Sequence, residues 1–78
     1  MKSKKYLIAE LKKLFKKELK INVSESSKIY DNKKWDSMGN FNLLLLIENK
    51  FKIKFNAHEF NKLNSFKNIL KIVTKKFK

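Results

Sequence analysis

The chain has 78 residues, with 20 basic side chains against seven acidic ones and a formal net charge of +13. A chain of this length forms one small domain, which we expect to span residues 1–78. The absence of cysteine excludes disulfides and metal-thiolate sites, and His58 is the single histidine, so no metal site is expected. No signal-peptide-like apolar stretch opens the chain, and the longest apolar run, 43–47, is too short to cross a bilayer. A cytoplasmic protein is therefore expected.

All of the basic residues are lysine, and arginine is absent. A strongly basic chain favours contact with nucleic acid, anionic lipid or an acidic protein surface. Arginine is, however, the usual side chain for reading guanine edges and binding phosphate with two hydrogen bonds. Lysine, asparagine, isoleucine and phenylalanine are all encoded by A/T-rich codons and are all abundant here. Two interpretations stay open: solvated lysine faces that reflect base composition, or a genuine electrostatic partner.

The first predicted helix follows Ser3, a suitable N-cap, and is amphipathic. Its apolar stripe consists of Leu7, Ile8, Leu11, Leu14, Phe15 and Leu19. Residues 20–34 lose the helical periodicity and are rich in serine, asparagine and aspartate, which predicts a long loop. The apolar loop residues expected to pack on the core are Ile21, Val23, Ile29 and Tyr30.

The second predicted helix begins at Asp36 or Ser37 and runs to about Phe51, with two apolar stripes. The broader stripe is expected to face the core and consists of Leu43, Leu44, Leu46, Ile47 and Phe51. The second consists of Met38, Phe41 and Leu45. Such a stripe is either covered by another helix or exposed to bind a partner.

Two further helices complete the prediction. The segment 56–59 has the form of a capping box, with Asn56 as the cap and Glu59 three residues later, and predicts a short third helix. The fourth starts after Ser65 and places apolar residues at helical spacing up to Phe77. The expected fold is all-α: a small four-helix bundle with three long helices, one short third helix and a long first loop.

Ser37 stands at the start of the second predicted helix, directly after Trp35 and Asp36. One interpretation is a plain N-cap, and the charge of Asp36 likewise suits a helix N-terminus. The other is a modification site, because free backbone N–H groups and the helix dipole stabilise an esterified phosphate there. The local chemistry permits the modification without selecting it.

The segment Asp36-Ser37-Met38 resembles the Asp-Ser-Leu motif at which acyl carrier proteins receive 4′-phosphopantetheine. The stretch 41–51 is similar to the apolar second helix of that family, which ends in an acidic-aromatic segment. Segment 65–73 is similar to its fourth helix. Residues that fit its second loop and short third helix are Ile53, Phe55, Phe60 and Leu63. The resemblance covers nearly the whole chain, with the first helix supported by its pattern alone.

The resemblance implies a carrier and not an enzyme, with no catalytic residue of its own. A phosphopantetheinyl transferase would move the arm from coenzyme A to Ser37, with Asp36 as the flanking motif residue. The thiol of the arm would then hold acyl or aminoacyl groups as thioesters for loading and transfer enzymes. The residues implied to dock these enzymes are Met38, Phe41, Leu45 and Glu48. A monomer is expected, with no nucleic-acid partner and no stable membrane insertion.

The second helix departs from the family in its charge. Well-known fatty-acid carriers are acidic along this helix and meet basic patches on their enzymes. Here the matching positions are Gly39, Asn40 and Asn42, and Glu48 is the main acidic residue left. A nearly neutral helix gives no electrostatic assistance to docking on a basic patch. This favours a dedicated carrier over the general fatty-acid carrier. The Asp-Ser-x-Gly form at 36–39 and the segment 48–51 also resemble D-alanyl carrier proteins and the carriers of specialised-metabolite or surface-glycan pathways.

Two other functions are compatible with the residues. A small basic helical protein would bind nucleic acid through its lysine faces, and a cationic amphipathic peptide would bind a membrane surface through its first helix. His58 is expected to be exposed without chemical function. Trp35 is expected to pack the end of the loop against the bundle.

Overall fold

The computed structural model describes residues 4–77, which form four helices. These are α1 (Lys4–Leu19), α2 (Ser37–Phe51), α3 (Ala57–Phe60) and α4 (Phe66–Lys76). No strand occurs within 4–77; one isolated bridge joins Lys28 and Ser65. The all-α prediction, with three long helices and a short third one, is confirmed. Ser3, the predicted N-cap of the first helix, and the terminal Lys78 lie outside the described residues.

The core is formed by the apolar stripes that the sequence predicts on the long helices. From α1 it takes Leu7, Leu11, Leu14, Phe15 and Leu19. From α2 it takes Leu43, Leu44, Ile47 and Phe51, and from α4 Phe66, Ile69, Leu70 and Val73. Ile8 and Leu46 lie at its edge and are partly buried. Burial of these side chains is the main stabilisation of a bundle this small, at about 1.5–3 kcal/mol for each large apolar side chain.

Helix α1 packs against both α2 and α4. It runs antiparallel to α2, because the C-terminal Leu19 lies against Gly39 at the start of α2, while Glu10 pairs with Lys50 near its end at 3.4 Å. The Phe15 ring meets Trp35 edge-on, with ring centroids 4.8 Å apart, and also contacts Phe66. The start of α2 is therefore held against the C-terminal half of α1.

Two helices are each followed by a lysine whose backbone is in the left-handed conformation. Lys20 (φ 60°) follows α1 and donates its N–H to the Lys16 carbonyl, and Lys52 (φ 58°) follows α2 and donates to the Glu48 carbonyl. Glycine normally fills such positions because it lacks a Cβ. Gly39 is the only glycine of this chain, so lysine takes the conformation at a cost of about 1–2 kcal/mol each.

The capping residues of the last two helices agree with the sequence prediction. Asn56 and Glu59 form the predicted capping box of α3, each side chain accepting a hydrogen bond from the other residue's backbone N–H. The Ser65 hydroxyl caps α4 by accepting from the Asn68 N–H. His58 is exposed on α3, as expected.

The loop between α1 and α2 packs on the bundle through Ile21 and Val23, which are buried, and through Ile29, which is partly buried. Backbone hydrogen bonds from Ile29 N–H to the Asn64 carbonyl and from Phe66 N–H to the Ser27 carbonyl join it to the segment before α4. The prediction that Tyr30 also packs on the core is wrong, because this residue is 66% exposed. Its backbone has φ 73°, and its hydroxyl meets Ser37 instead of the core.

Candidate functional site

The structure at the start of α2 shows whether Ser37 is the N-cap of the helix. Asp36 is the N-cap: its backbone is extended, and its Oδ1 accepts a hydrogen bond from the Gly39 N–H at 2.8 Å. Ser37 is the first residue of the helix and is exposed. The plain-cap interpretation of Ser37 is therefore wrong, because Asp36 caps the helix in its place. The hydroxyl of Ser37 does not cap the helix.

The Ser37 hydroxyl is in contact with the side chain of Tyr30. The Tyr30 phenol and the Ser37 Oγ form a hydrogen bond in which either oxygen can be the donor. Both side chains are exposed, so the pair lies at the surface and is accessible to another protein.

Two buried side chains, Trp35 and Asn40, fix the segment that carries Ser37 to the bundle. Trp35 is fully buried, which confirms that it packs the end of the loop against the bundle, and its Nε1 donates to Asn40 Oδ1 at 2.9 Å. Asn40 Nδ2 in turn donates to the Leu63 carbonyl at 2.9 Å. These bonds pair the polar groups that burial would otherwise leave unsatisfied. Ser37 therefore lies between two anchored residues, Trp35 before it and Asn40 after it.

Gly39 allows the loop to approach the first turn of α2 closely. A Cβ at this position would lie 2.7 Å from the Lys34 carbonyl oxygen and 3.0 Å from Leu19 Cδ2. The contact with a backbone oxygen is too short for any side chain. Glycine is therefore required here because a Cβ would clash with the loop, and not because of the backbone dihedral angles.

The second apolar stripe of α2 is exposed. Met38 is 74% exposed, Phe41 53% and Leu45 43%, and together with Tyr30 these are the exposed large hydrophobic residues of the described chain. Phe41 rests against Phe60 of α3, with ring centroids 6.0 Å apart. Of the two alternatives for this stripe, the structure shows the exposed one. The chain thus places its exposed apolar side chains beside Ser37 and along the helix that follows it.

Glu48, the acidic member of the docking set, is partly buried and has a structural contact. Its Oε2 accepts a hydrogen bond from the Phe55 N–H at 2.7 Å, which holds the loop after α2. It also lines a groove of about 410 Å³ with Leu45, Asn49, Lys52, Ile53 and Lys54. The exposed charges at this end of α2 are therefore lysines.

Sequence reasoning missed Tyr30 and Asn40 as parts of the site. Asn40 was named only as a position that matches an acidic residue of the family, but it is 9% exposed, and both its amide oxygen and its amide nitrogen are hydrogen-bonded. Its spacing held a signal: it lies three residues before the core residue Leu43 and five after a tryptophan that needs a hydrogen-bond partner. Tyr30 gave no signal, because a left-handed backbone at a tyrosine does not follow from local sequence.

Within residues 4–77 no group of three or more histidine, aspartate or glutamate side chains is placed to hold a metal ion. In the same residues no helix is long and apolar enough to span a bilayer. No protein-family model matches this chain, and no curated protein does so at a significant level.

Proposed function

We propose that this chain is a carrier protein that holds acyl or aminoacyl groups as thioesters on a 4′-phosphopantetheine arm esterified to Ser37. The observation that carries the proposal is that Asp36 caps α2, which leaves the exposed Ser37 hydroxyl at the first helical residue without a capping role. Four helices with a long first loop are compatible with the acyl-carrier-like fold that the motif resemblance implies.

The attachment reaction needs little from the chain itself. Ser37 Oγ forms a bond to the phosphorus that bears pantetheine in coenzyme A, and the bond from that phosphorus to the bridging oxygen of the pyrophosphate breaks. The leaving group is 3′,5′-adenosine bisphosphate, and the hydroxyl proton passes to a base of the transferase. The chain supplies the nucleophilic oxygen and no catalytic group, in keeping with a carrier and not an enzyme.

The helix N-terminus then suits the product. The Gly39 N–H donates to the Asp36 side chain. The N–H groups of Ser37 and Met38 have no carbonyl partner within the helix. A phosphodiester on Ser37 carries a negative charge beside these groups and the positive end of the helix dipole. This favours the esterified state and keeps the phosphate close to the helix.

The exposed stripe of α2 is the proposed docking surface for the transferase and for the enzymes that load and receive the cargo. Met38 follows the attachment residue directly, and Phe41 and Leu45 continue the stripe for two more turns. Exposed apolar side chains on a monomeric protein mark interaction sites when they are contiguous. An enzyme bound here would hold the tethered thiol close to its own active site.

The charge around this surface favours dedicated partner enzymes over those of general fatty-acid synthesis. Helix α2 has neutral Asn42 and Asn49 beside its stripe, and Lys52 and Lys54 line the groove at its end. A basic docking patch would meet lysines at this end of the surface and be repelled. The matching partner surface is apolar at its centre and acidic or neutral at its rim.

The experiment that tests the proposal is incubation of the purified chain with coenzyme A and several broad-specificity phosphopantetheinyl transferases, followed by intact-mass measurement. We expect the gain of one phosphopantetheine, its loss in Ser37→Ala and its retention in Ser26→Ala, which removes an exposed loop hydroxyl as a matched control. A folded chain that no transferase modifies would overturn the proposal.

Nucleic-acid binding is the second candidate function, and one feature favours it. A groove of about 750 Å³ is lined by Lys4, Lys67 and Lys71 together with Glu25, Ser26, Leu70 and Thr74. Phosphate contacts by lysine would make the affinity fall steeply with salt. Binding to a duplex that is lost between low and physiological salt, and that is unaffected by Ser37→Ala, would support this candidate.

A further inference from the structure

Tyr30 combines an uncommon backbone conformation with an exposed side chain. Its backbone lies in the left-handed region, at φ 73°, where a residue with a bulky side chain is rarely found. The residue is 66% exposed, although the chain has an apolar core a few residues away. Lys20 and Lys52 are also left-handed, but they follow helices where glycine is usual; Tyr30 lies in a loop and its side chain meets Ser37, which points to a functional role.

The surrounding loop fixes the Tyr30 backbone with hydrogen bonds on both sides. The Tyr30 N–H donates to the Trp35 carbonyl at 2.8 Å, and Trp35 is itself fully buried. Two further bonds join Lys28, before Tyr30, to Asp31, after it. The Lys28 N–H donates to Asp31 Oδ2 at 3.0 Å, and the Asp31 N–H donates to the Lys28 carbonyl at 3.1 Å. The turn is therefore closed around Tyr30 independently of what its side chain does.

The side chain that this turn presents ends on the Ser37 hydroxyl. We infer that Tyr30 is a positioning residue for the modification of Ser37, and that its phenol binds the phosphodiester once the arm is attached. This inference rests on the proposed carrier function and adds to it a phosphate contact from the first loop.

The chemistry of the two hydroxyl groups gives Tyr30 a different bond before and after the reaction. Before it, Ser37 Oγ carries a proton, and the contact with Tyr30 restricts the rotation of the serine side chain. After it, Oγ has lost that proton to the transferase and can only accept. The Tyr30 O–H must then donate, and the non-bridging oxygens of the new phosphodiester are the strongest acceptors within its reach.

The test compares Tyr30→Phe, which removes only the phenol oxygen, with Tyr6→Phe, which makes the same change on α1. Tyr6 lies about 20 Å along α1 from Leu19, the residue that contacts the start of α2. The measurements are kcat and KM for modification by one active transferase, the phosphorus-31 resonance of the modified chain, and the melting temperature of each variant.

We expect Tyr30→Phe to lower kcat/KM about fivefold to tenfold, the range for loss of one hydrogen bond near a reacting oxygen, with the melting temperature unchanged. The phosphorus-31 resonance should move in Tyr30→Phe and stay in place in Tyr6→Phe. In the wild-type chain, the ring protons of Tyr30 should shift on modification, which tests the phosphate contact without any variant.

Wild-type rates and an unmoved phosphorus-31 resonance in Tyr30→Phe would overturn the inference while the carrier function stands. Unchanged Tyr30 ring resonances on modification would overturn the phosphate contact. A wild-type chain that no transferase modifies would instead overturn the carrier function, and the role of Tyr30 with it.

Discussion

The indole N–H of Trp35 donates a hydrogen bond to the side-chain oxygen of Asn40 at 2.9 Å, joining the residue before the α2 cap to the first turn of the helix. Asn40 extends the connection to the Leu63 carbonyl in the segment before α4. The exposed Ser37 thus lies between two residues whose own positions are set by the core. A surface hydroxyl gains a fixed position in this way without being buried.

Asn40→Ala should lower the free energy of unfolding by about 1–3 kcal/mol, because it leaves the buried indole N–H and the Leu63 carbonyl without partners. Urea unfolding followed by circular dichroism measures the change. The matched control is Asn42→Ala, an exposed asparagine on the same helix, which should change stability by less than about 0.5 kcal/mol. Equal effects of the two substitutions would contradict the network.

Gly39→Ala should destabilise the chain by about 1–2 kcal/mol, although alanine is the better helix former by about 1 kcal/mol. The added Cβ would lie 2.7 Å from the Lys34 carbonyl oxygen, so the loop before the cap must shift. Thermal unfolding and the rate of Ser37 modification should both report the displacement. A more stable variant would show that the loop yields freely and that the contact is unimportant.

Phe41→Ala should slow turnover by a partner enzyme while lowering the free energy of unfolding by only about 0.5–1.5 kcal/mol, the contribution of its contact with Phe60. Phe15→Ala removes a buried ring and should cost about 3–5 kcal/mol, which calibrates the measurement. A loss of stability in Phe41→Ala as large as that in Phe15→Ala would place Phe41 in the core and contradict its docking role.

The capping box of α3 predicts a dependence of stability on acidic pH. A hydrogen bond from the Asn56 backbone N–H, reinforced by Lys76 at 3.1 Å, holds the pKa of Glu59 below its ordinary value of 4.5. Because the pKa is lower in the folded chain, the stabilisation is complete above pH 4.5 and is lost as the pH falls through the folded value.

Glu59→Gln should therefore flatten the loss of stability on the acid side, measured as melting temperature at a series of pH values below neutrality. Glu18→Gln makes the same change of charge on α1, so the comparison isolates the capping box. Curves for Glu59→Gln that run parallel to the wild type would show that the carboxylate contributes nothing.

The helices were predictable because their causes are local. The core stripe of α1, the capping box at Asn56 and the cap at Ser65 each depend on residues three or four positions apart, and all three are present in the structure. The second stripe of α2 was predictable as a pattern, but whether another helix covered it depends on packing and not on sequence spacing.

The details of the site depend on contacts that local sequence does not encode. The Asn40 amide binds Leu63, which is 23 residues further along the chain. Tyr30, which meets Ser37, has a left-handed backbone conformation that a sequence pattern assigns to glycine or asparagine. The position of the candidate serine was therefore predictable, whereas its surroundings were not.

The most direct measurement is mass mapping of the chain after reaction with coenzyme A and a phosphopantetheinyl transferase. Cleavage after lysine releases the peptide 35–50, in which Ser37 is the only serine, while Ser3, Ser24, Ser26, Ser27 and Ser65 fall in other peptides. The carrier account predicts one phosphopantetheine on peptide 35–50. Modification of any other peptide, or of none in a folded chain, would contradict it.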